Sequence, residues 1–395
     1  MKKAIRLAVV VLLFFLAYKC VQHSDFFSSS SVKSIRIEHL PGAYAAPEFR
    51  RLNDEVYFFS SFVDLRAGNI GFPRVRVVTL IAKSAARNEF FCSFGSSAKT
   101  KAQLYELAEN HAQRYGTFFI SCELPDANNL PASFFVGYED ESVELEVTYV
   151  IEGETRKPPF VQYSVCVPFL FGTRYSPRDI VEFVELNRLV GAQKIFVYID
   201  KATLDPEIAR TIEFYESRNL LHAISFTIPI PDKAIWYHAQ LASIADCHYR
   251  NVGFSKYVAF HDIDEVLIPR NSDRTVGDVL DGFTNGTIAS YRVSAVYFDT
   301  AVSPPIRLNS KKYSGRVDSF LTKCVLRPEM VFEQGIHHTS RVIQDHFQAV
   351  RIPHSLIRLH HYKPSRPLTA DTVVSDKYGS AFVNNFGKVV DLLKI

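Results

Sequence analysis

The stretch from Tyr257 to Pro269, YVAFHDIDEVLIP, carries three carboxylates, Asp262, Asp264 and Glu265, within four residues of an otherwise apolar run. Carboxylates this close repel one another unless a positive charge lies between them. A hard divalent cation with oxygen ligands, Mn or Mg, is the usual solution. Such a cation takes few protein groups, completes its shell with phosphate oxygens and water, and neutralises a departing diphosphate. Transfer from a nucleotide-activated sugar needs that chemistry. Read as one continuous strand, Asp-Ile-Asp puts both aspartates on one face and turns Glu265 to the other, because side chains alternate. Asp-x-Asp also occurs in plain solvated turns, but the flanks YVAF and VLIP are too apolar for one.

The segment leading to this cluster alternates strand and helix. QYSVCVPFLFG (162–172) reads as a buried strand. Ser176 as cap, Pro177 in the first helical position and Asp179 in the first turn start a helix that stops at Gly191. KIFVYID (194–200) is a second strand, DPEIARTIEFYESRN (205–219) a second helix capped by Asp205, and AISFTIPI (223–230) a third strand. DKAIWYHAQLASIADCHYRN (232–251) predicts a third helix and KYVAFHDIDEVLIP (256–269) a fourth strand. This order implies right-handed crossovers and a mainly parallel α/β sheet flanked by helices. Ligands of such sheets bind beyond the carboxyl ends of the strands, where both Asp200 and the 262–265 cluster fall.

Residues 34–153 predict a smaller, β-rich, sandwich-like domain. Runs such as VYFFSSFVDLR (56–66), RVRVVTLIAKS (74–84) and SVELEVTYVIE (142–152) are β-branched or aromatic, several with period two. AKTKAQLYELAENHAQRYG (98–116) reads as the helix among them. ETRKPP (154–159) is a polar, Pro-containing break, placing the second domain at 160–395.

The chain has 395 residues, more than one typical domain, and 47% of them are hydrophobic. A net charge of +3 without a basic stripe gives no case for nucleic acid. The amino terminus, MKKAIRLAVVVLLFFLAYKC, predicts a short cytoplasmic tail (1–6), a single-pass signal anchor (7–22) and a Ser-rich stem (23–33). That is a type II layout; a cleaved signal peptide is the rival reading. Asn285-Gly286-Thr287 is a glycosylation sequon, meaningful in a secretory setting. Of the six cysteines, Cys20 falls at the membrane edge, Cys92 and Cys122 are expected to pair, and at least one of the remainder stays unpaired within the chain.

Six blocks in order resemble glycosyltransferase family 92. They are VCVPFLFG (165–172), VEFVELNRLVGAQKIFVYID (181–200), WYHAQLASIADCHYR (236–250), YVAFHDIDEVLIP (257–269), KCVLRPEMVFEQGIHH (323–338) and HHYK (360–363). The resemblance spans about Tyr163–Lys363, and the first 150 residues do not contribute to it. It implies a GT-A type fold, a UDP-sugar donor with galactose as the expected hexose, and a glycan hydroxyl as acceptor. The β-1,4-galactosyl members invert, which needs one in-line displacement and one general base. A Golgi membrane location with a luminal catalytic region follows from the same resemblance, and a homodimer is an assembly it allows.

The resemblance also implies roles. Asp264 would bind the metal, with Asp262 beside it on metal or ribose, and His337, from the Gly-x-His block, would be the third ligand ahead of His361. Asp200 would meet base or ribose, and backbone groups of Val167 and Pro168 the uracil. Gln240 and Asp246 lie six residues apart and do not share a helical face; Asp246 fits its block better and is taken as the donor contact. Lys323 and Arg327 would hold the diphosphate. Asp299 and Glu329 are the candidate bases, with Glu333 also considered. Each has a plainer reading: a turn residue for Asp200, ordinary salt bridging for Lys323 and Arg327, and a core position for Trp236, the chain's single tryptophan. A non-catalytic glycan-binding or cell-surface protein with a decayed transferase region is the rival function, and the intact Asp-x-Asp argues against it.

Overall fold

A computed structural model describes residues 48–68, 73–95, 98–151, 159–170, 174–270 and 274–395. The expected tail, anchor and stem lie outside these residues, as does nearly all of the expected linker. The described residues belong to one compact unit. No helix among them is long and apolar enough to cross a membrane.

Among the described residues ten strands precede residue 152. They are β1 (Arg50–Asn53), β2 (Val56–Asp64), β3 (Arg74–Ala82), β4 (Phe90–Ser93), β5 (Thr100–Lys101), β6 (Gln103–Glu106), β7 (Tyr115–Glu123), β8 (Ser133–Tyr138), β9 (Glu141–Glu146) and β10 (Tyr149–Ile151). They build two sheets, β1-β2-β3-β7-β6 with β10 beside β2, and β5-β4-β8-β9. Val56, Phe58, Val77, Phe90, Phe134 and Val136 share one core, and a Cys92–Cys122 disulfide joins β4 to β7. Strands β2, β3 and β7 are buried along nearly their whole length. The reason is that their sheet also packs against the carboxy-terminal region: Phe62 and Phe119 lie 5.4 and 5.2 Å from the Tyr249 ring.

The helix expected over 98–116 is not formed. Gln103–Glu106 instead pairs antiparallel with β7, from Gln103↔Ser121 to Glu106↔Phe118. The Asn110 amide then donates to the carbonyls of Leu107 (3.0 Å) and Thr117 (3.1 Å), while its oxygen accepts the Thr117 N–H at 2.8 Å. His111 (φ 50°) and Ala112 (φ 53°) are left-handed, which no α-helix tolerates. Good helix-forming composition has yielded to an open sheet edge, as a weak local preference does.

The carboxy-terminal strands are β11 (Val161–Leu170), β12 (Lys194–Ile199), β13 (Leu221–Ser225), β14 (Ser255–Phe260), β15 (Glu265–Pro269), β16 (Ile288–Phe298), β17 (Lys312–Tyr313), β18 (Asp318–Leu326), β19 (Val331–Gln334), β20 (Thr339–Val342), β21 (Gln348–Arg351), β22 (Ile357–Tyr362) and β23 (Thr369–Ala370). The main sheet runs β13-β12-β11-β14-β18-β16-β17-β23. Its first four strands are parallel, and β18 is antiparallel to both neighbours, so the sheet is mixed rather than mainly parallel. Helix α1 (Pro177–Leu189) starts with Ser176 and Asp179 capping one another and Pro177 in the first turn. Helix α2 (Pro206–Glu216) starts with Asp205 accepting from the N–H groups of Glu207 and Ile208.

The expected third helix is shorter than its sequence suggests. Tyr237, His238 and Ala239 take φ of 43°, 54° and 58°, so only α3 (Gln240–Asn251) is α-helical. Every residue of α3 is buried, because β11 and β14 contact it as well as β2, β3 and β7. A Cys166–Cys247 disulfide ties it to β11, and Cys324 stays free and buried. The expected fourth strand is two: β14 ends at Phe260, and β15 pairs antiparallel with β22, Glu265 opposite His361. Helices α4 (Val276–Phe283), α5 (Ile306–Asn309) and α6 (Gly379–Leu393) complete the chain, with α6 packed on α1.

Candidate active site

Strand order reverses between β11 and β14, since β12 and β13 succeed β11 on one side while β14 lies on the other. At such a reversal the carboxyl ends open a crevice for ligands. The Asp262–Glu265 segment is a turn at that place, closed by Glu265 N–H to the Asp262 carbonyl (3.0 Å). Its backbone is fixed on three sides. Glu265 Oε2 accepts the Asp262 N–H at 2.9 Å, the Tyr362 N–H reaches the Asp264 carbonyl at 2.8 Å, and the Arg307 guanidinium donates to the buried Ile263 carbonyl. Glu182 of α1 in turn holds Arg307 at 3.2 Å.

The side chains of the turn meet partners from distant strands. Lys323 Nζ of β18, only 5% exposed, lies 2.9 Å from Asp262 Oδ2 and 3.4 Å from Glu265 Oε2. Burial works against its ammonium, but the two carboxylates outweigh that and hold its pKa above the ordinary lysine value. Burial pushes the Glu265 carboxyl up, with Lys323 pulling the other way. Asp264 Oδ2 accepts from Arg174 Nη2 at 2.9 Å and lies 3.7 Å from His361 Nε2. Burial opposes its ionisation, yet His361 and Arg174 prevail and lower its pKa. His361 Nδ1 faces Glu265 Oε1 at 3.2 Å, so a carboxylate orients the ring and leaves Nε2 toward Asp264. Three carboxylates against Lys323 and Arg174 leave the turn short of positive charge whenever His361 is neutral. A diphosphate placed here would deepen the deficit.

Beside the turn is a cleft of about 470 Å³, within the usual range of small-molecule sites. Asp262, Lys323 and His337 line it together with Gln240, Trp236 and Tyr237. The amino-terminal β region lines it too, through Glu109 and His111.

The sequence model of glycosyltransferase family 92 matches residues 161–390. The chain belongs to glycosyltransferase family 92. It is 35% identical over 379 residues to a Caenorhabditis elegans protein named beta-1,4-galactosyltransferase galt-1, a match covering 93% of this chain and 88% of the relative. That similarity takes in most of β1–β10, which the blocks between Tyr163 and Lys363 leave out. Among solved structures, glucosyl-3-phosphoglycerate synthase from Mycobacterium tuberculosis with Mn2+, UDP-glucose and phosphoglyceric acid is 12% identical, covers 60% of this chain and 80% of its own, and has a TM-score of 0.28. The same enzyme with Mn2+, UDP and glucosyl-3-phosphoglycerate is 13% identical, covers 60% and 81%, and scores 0.28. Likeness this remote carries no argument about the present chain.

The family 92 blocks do not all converge on the turn. Asp262, Asp264 and Lys323 do. Glu265, expected on the opposite face, is drawn in, because the turn breaks the alternation on which that expectation rested. His337 lines the cleft with Asp262 and donates from Nδ1 to the Thr322 carbonyl at 3.0 Å, and burial lowers its pKa. His361, placed second by the sequence, is the histidine that meets Asp264. Among the described residues no three His, Cys, Asp or Glu side chains form a complete cation cage.

Asp246 is fully buried, paired with Arg250 at 2.6 Å and accepting from the Tyr198 hydroxyl, while Gln240 lines the cleft, which reverses the expected choice between them. Val167 and Pro168 lie near the carboxyl end of β11, Val167 paired with Val197 and buried. Asp200 follows β12, its carboxylate taking the Ala202 N–H and the hydroxyls of Thr203 and Thr227, the bonds of a turn residue. Asp299 follows β16 and accepts from Ser365 N–H at 3.4 Å.

Arg327 and Glu329 pair with each other at 3.2 Å. Cys324 lies opposite Phe260 and Leu326 opposite Val258, so Arg327 is four residues, roughly 13 Å, further from the turn than Lys323. Glu333 is buried, its oxygens taken by the Tyr105 hydroxyl and the Ala108 N–H. Trp236 is 39% exposed in the cleft rather than in the core. Sequence reasoning passed over Arg174, Tyr237, Glu109 and His111; only the block containing Tyr237 carried any signal.

Proposed function

We propose that this chain is a metal-dependent, inverting hexosyltransferase of GT-A type that moves galactose from UDP-galactose to a glycan hydroxyl. The observation that carries the reading is the Asp264–His361 pair, braced by Glu265, on a charge-deficient turn at the strand-order reversal. Two aspartates and an imidazole suit Mn or Mg, whose shell phosphate oxygens and water complete. Asp264 and His361 would hold the cation, Asp262 would assist, and His337 is the alternative imidazole donor. When bound, the cation supplies the positive charge that a diphosphate leaving group requires.

The chain's own residues do the remaining work. Arg174, exposed on Asp264, can turn its guanidinium to the diphosphate. Lys323 holds Asp262 and Glu265 in place. The carboxyl ends of β11 and β12, with Val167, Pro168 and Asp200, are the side on which the uridine would bind. Of the two candidate bases, Asp299 stands at the strand end nearer the turn, two residues beyond Tyr297, which pairs with His361. Burial raises the Glu329 pKa, which suits a base, but its position does not. Asp246 and Arg327 are left as structural residues. The two disulfides fit an oxidising compartment and so support a type II Golgi membrane protein with a luminal catalytic region; homodimerisation stays part of the proposal.

UDP release from UDP-galactose, measured with a glycan acceptor panel with and without Mn, tests this. Turnover that requires Mn and disappears in Asp264→Ala with the fold retained supports it. No release by the wild-type chain on any acceptor sinks it.

A further inference from the structure

The amino-terminal β region has no part in the family 92 sequence model, yet it closes one side of the cleft. The end of β6 and the loop between β6 and β7 are clamped there by four contacts. The Tyr105 hydroxyl and Ala108 N–H donate to Glu333 at 2.6 and 2.7 Å. Glu109 accepts the Ile336 N–H at 2.7 Å and pairs with His338 Nδ1 at 2.8 Å. Gly335 permits this approach, because a Cβ there would stand 2.9 Å from the Glu109 carboxylate.

From this fixed loop the His111 ring lies 4.1 Å from the Trp236 ring. Both ends of that contact are strained: His111 and Ala112 on one side and Tyr237, His238 and Ala239 on the other all have positive φ. Such conformations cost on the order of 1 kcal/mol or more per residue and persist where surrounding contacts impose them, often at functional sites. Beside these residues Trp236 is 39% and Tyr237 52% exposed. An exposed aromatic wall facing carboxylates is the chemistry that binds a pyranose, whose axial C–H face is apolar and whose hydroxyls are polar. Among the described residues the cleft is lined by Leu321 and Lys323 of β18 and by none of β11 or β12, the proposed donor side.

We propose that Glu109 and His111 of the β6–β7 loop, with Trp236, form the acceptor subsite, holding one sugar ring of the acceptor glycan against the His111–Trp236 pair with its hydroxyls toward Glu109 and Asp262. This rests on the transferase reading, so its test reads binding without turnover. Trp236 is the only tryptophan in the chain, so its fluorescence reports the cleft directly. The full chain is titrated with methyl glycosides of the common hexoses and N-acetylhexosamines in the absence of donor.

At least one should shift Trp236 emission saturably, with an apparent Kd at least tenfold weaker in His111→Ala and in Glu109→Gln, and partly restored in His111→Phe. Circular dichroism and thermal melts verify that each variant is folded. No saturable shift with any glycoside, or unchanged Kd in both folded variants, overturns the subsite. A saturable shift from a wild-type chain that never releases UDP would leave the subsite standing and remove the transferase.

Discussion

Two buried charge clusters of this chain have opposite characters. At the junction of the two regions, Asp64 takes Arg66 Nε at 2.9 Å and Arg76 Nε at 3.0 Å, and Arg66 also donates to the carbonyls of Pro328 and Val331. One carboxylate meets two guanidinium groups, and the cluster is closed to solvent. Burial acts to raise the Asp64 pKa, but the two arginines reverse the effect and bring it to about 2. At the 262–265 turn, three carboxylates share Lys323 and Arg174, and Asp262 is 34% exposed. The first cluster satisfies itself. The second keeps an open face and, whenever His361 is neutral, an unmet demand for positive charge. Buried charge makes a candidate site here only where partners are too few and solvent can enter.

The contrast is sharpest under truncation. Asp64→Ala leaves two buried guanidinium groups without their carboxylate and should remove about 3–5 kcal/mol of stability, read by denaturant unfolding. Asp264→Ala should instead leave the unfolding midpoint nearly unchanged and lower kcat/KM about a thousandfold, the several kcal/mol that a lost cation represents. A large stability loss at Asp264, or none at Asp64, would break the distinction. Among the imidazoles, His361→Ala should raise the Mn concentration for half-maximal activity about 10–100-fold, and Glu265→Gln should move it the same way because it orients that ring. His337→Ala should shift it less; the reverse order would transfer the ligand to His337.

Acid separates the clusters more gently. The folded pKa of Asp64, about 2, lies below its ordinary 3.8. Its contribution, about 2 kcal/mol, is therefore complete above pH 4 and lost as pH falls toward 2. Burial lowers the pKa of His248 and His360 to about 3 and that of His261 to about 4, all from 6.5. These imidazoles are folded in neutral form, so their contribution holds above pH 6.5 and drains below it, at up to about 1.4 kcal/mol per pH unit each. Denaturation midpoints measured from pH 7 to 4 should fall throughout.

Much of this was legible in the sequence. Carboxylate density and apolar flanks marked Asp262 and Asp264, and the cap residues Ser176 and Asp205 placed two helices correctly. What stayed hidden depends on contacts across long stretches of chain. Ile263 is buried, so the apolar rhythm runs unbroken through a turn, and Glu265 was assigned to the wrong face. His361 meets Asp264 only because β15 pairs with β22, a branch of the main sheet joined to it through β16, nearly a hundred residues later. Asp246 was read as reaching a ligand because nothing in α3 reveals that strands from both regions cover it. The 98–116 segment has the composition of a helix, and only the free edge of β7 explains why it is not one.

Helix α3 has a practical consequence. The family 92 sequence model begins at residue 161, which invites cutting the chain there to obtain a minimal enzyme. Such a cut would strip β2, β3 and β7 from α3 and bare Tyr249 and Phe332, leaving a sticky apolar face and the unpaired arms of the Arg66 and Glu333 contacts. The boundary of the family model and the boundary of autonomous folding are different lines in this molecule, and the second lies upstream of the first by the whole β region.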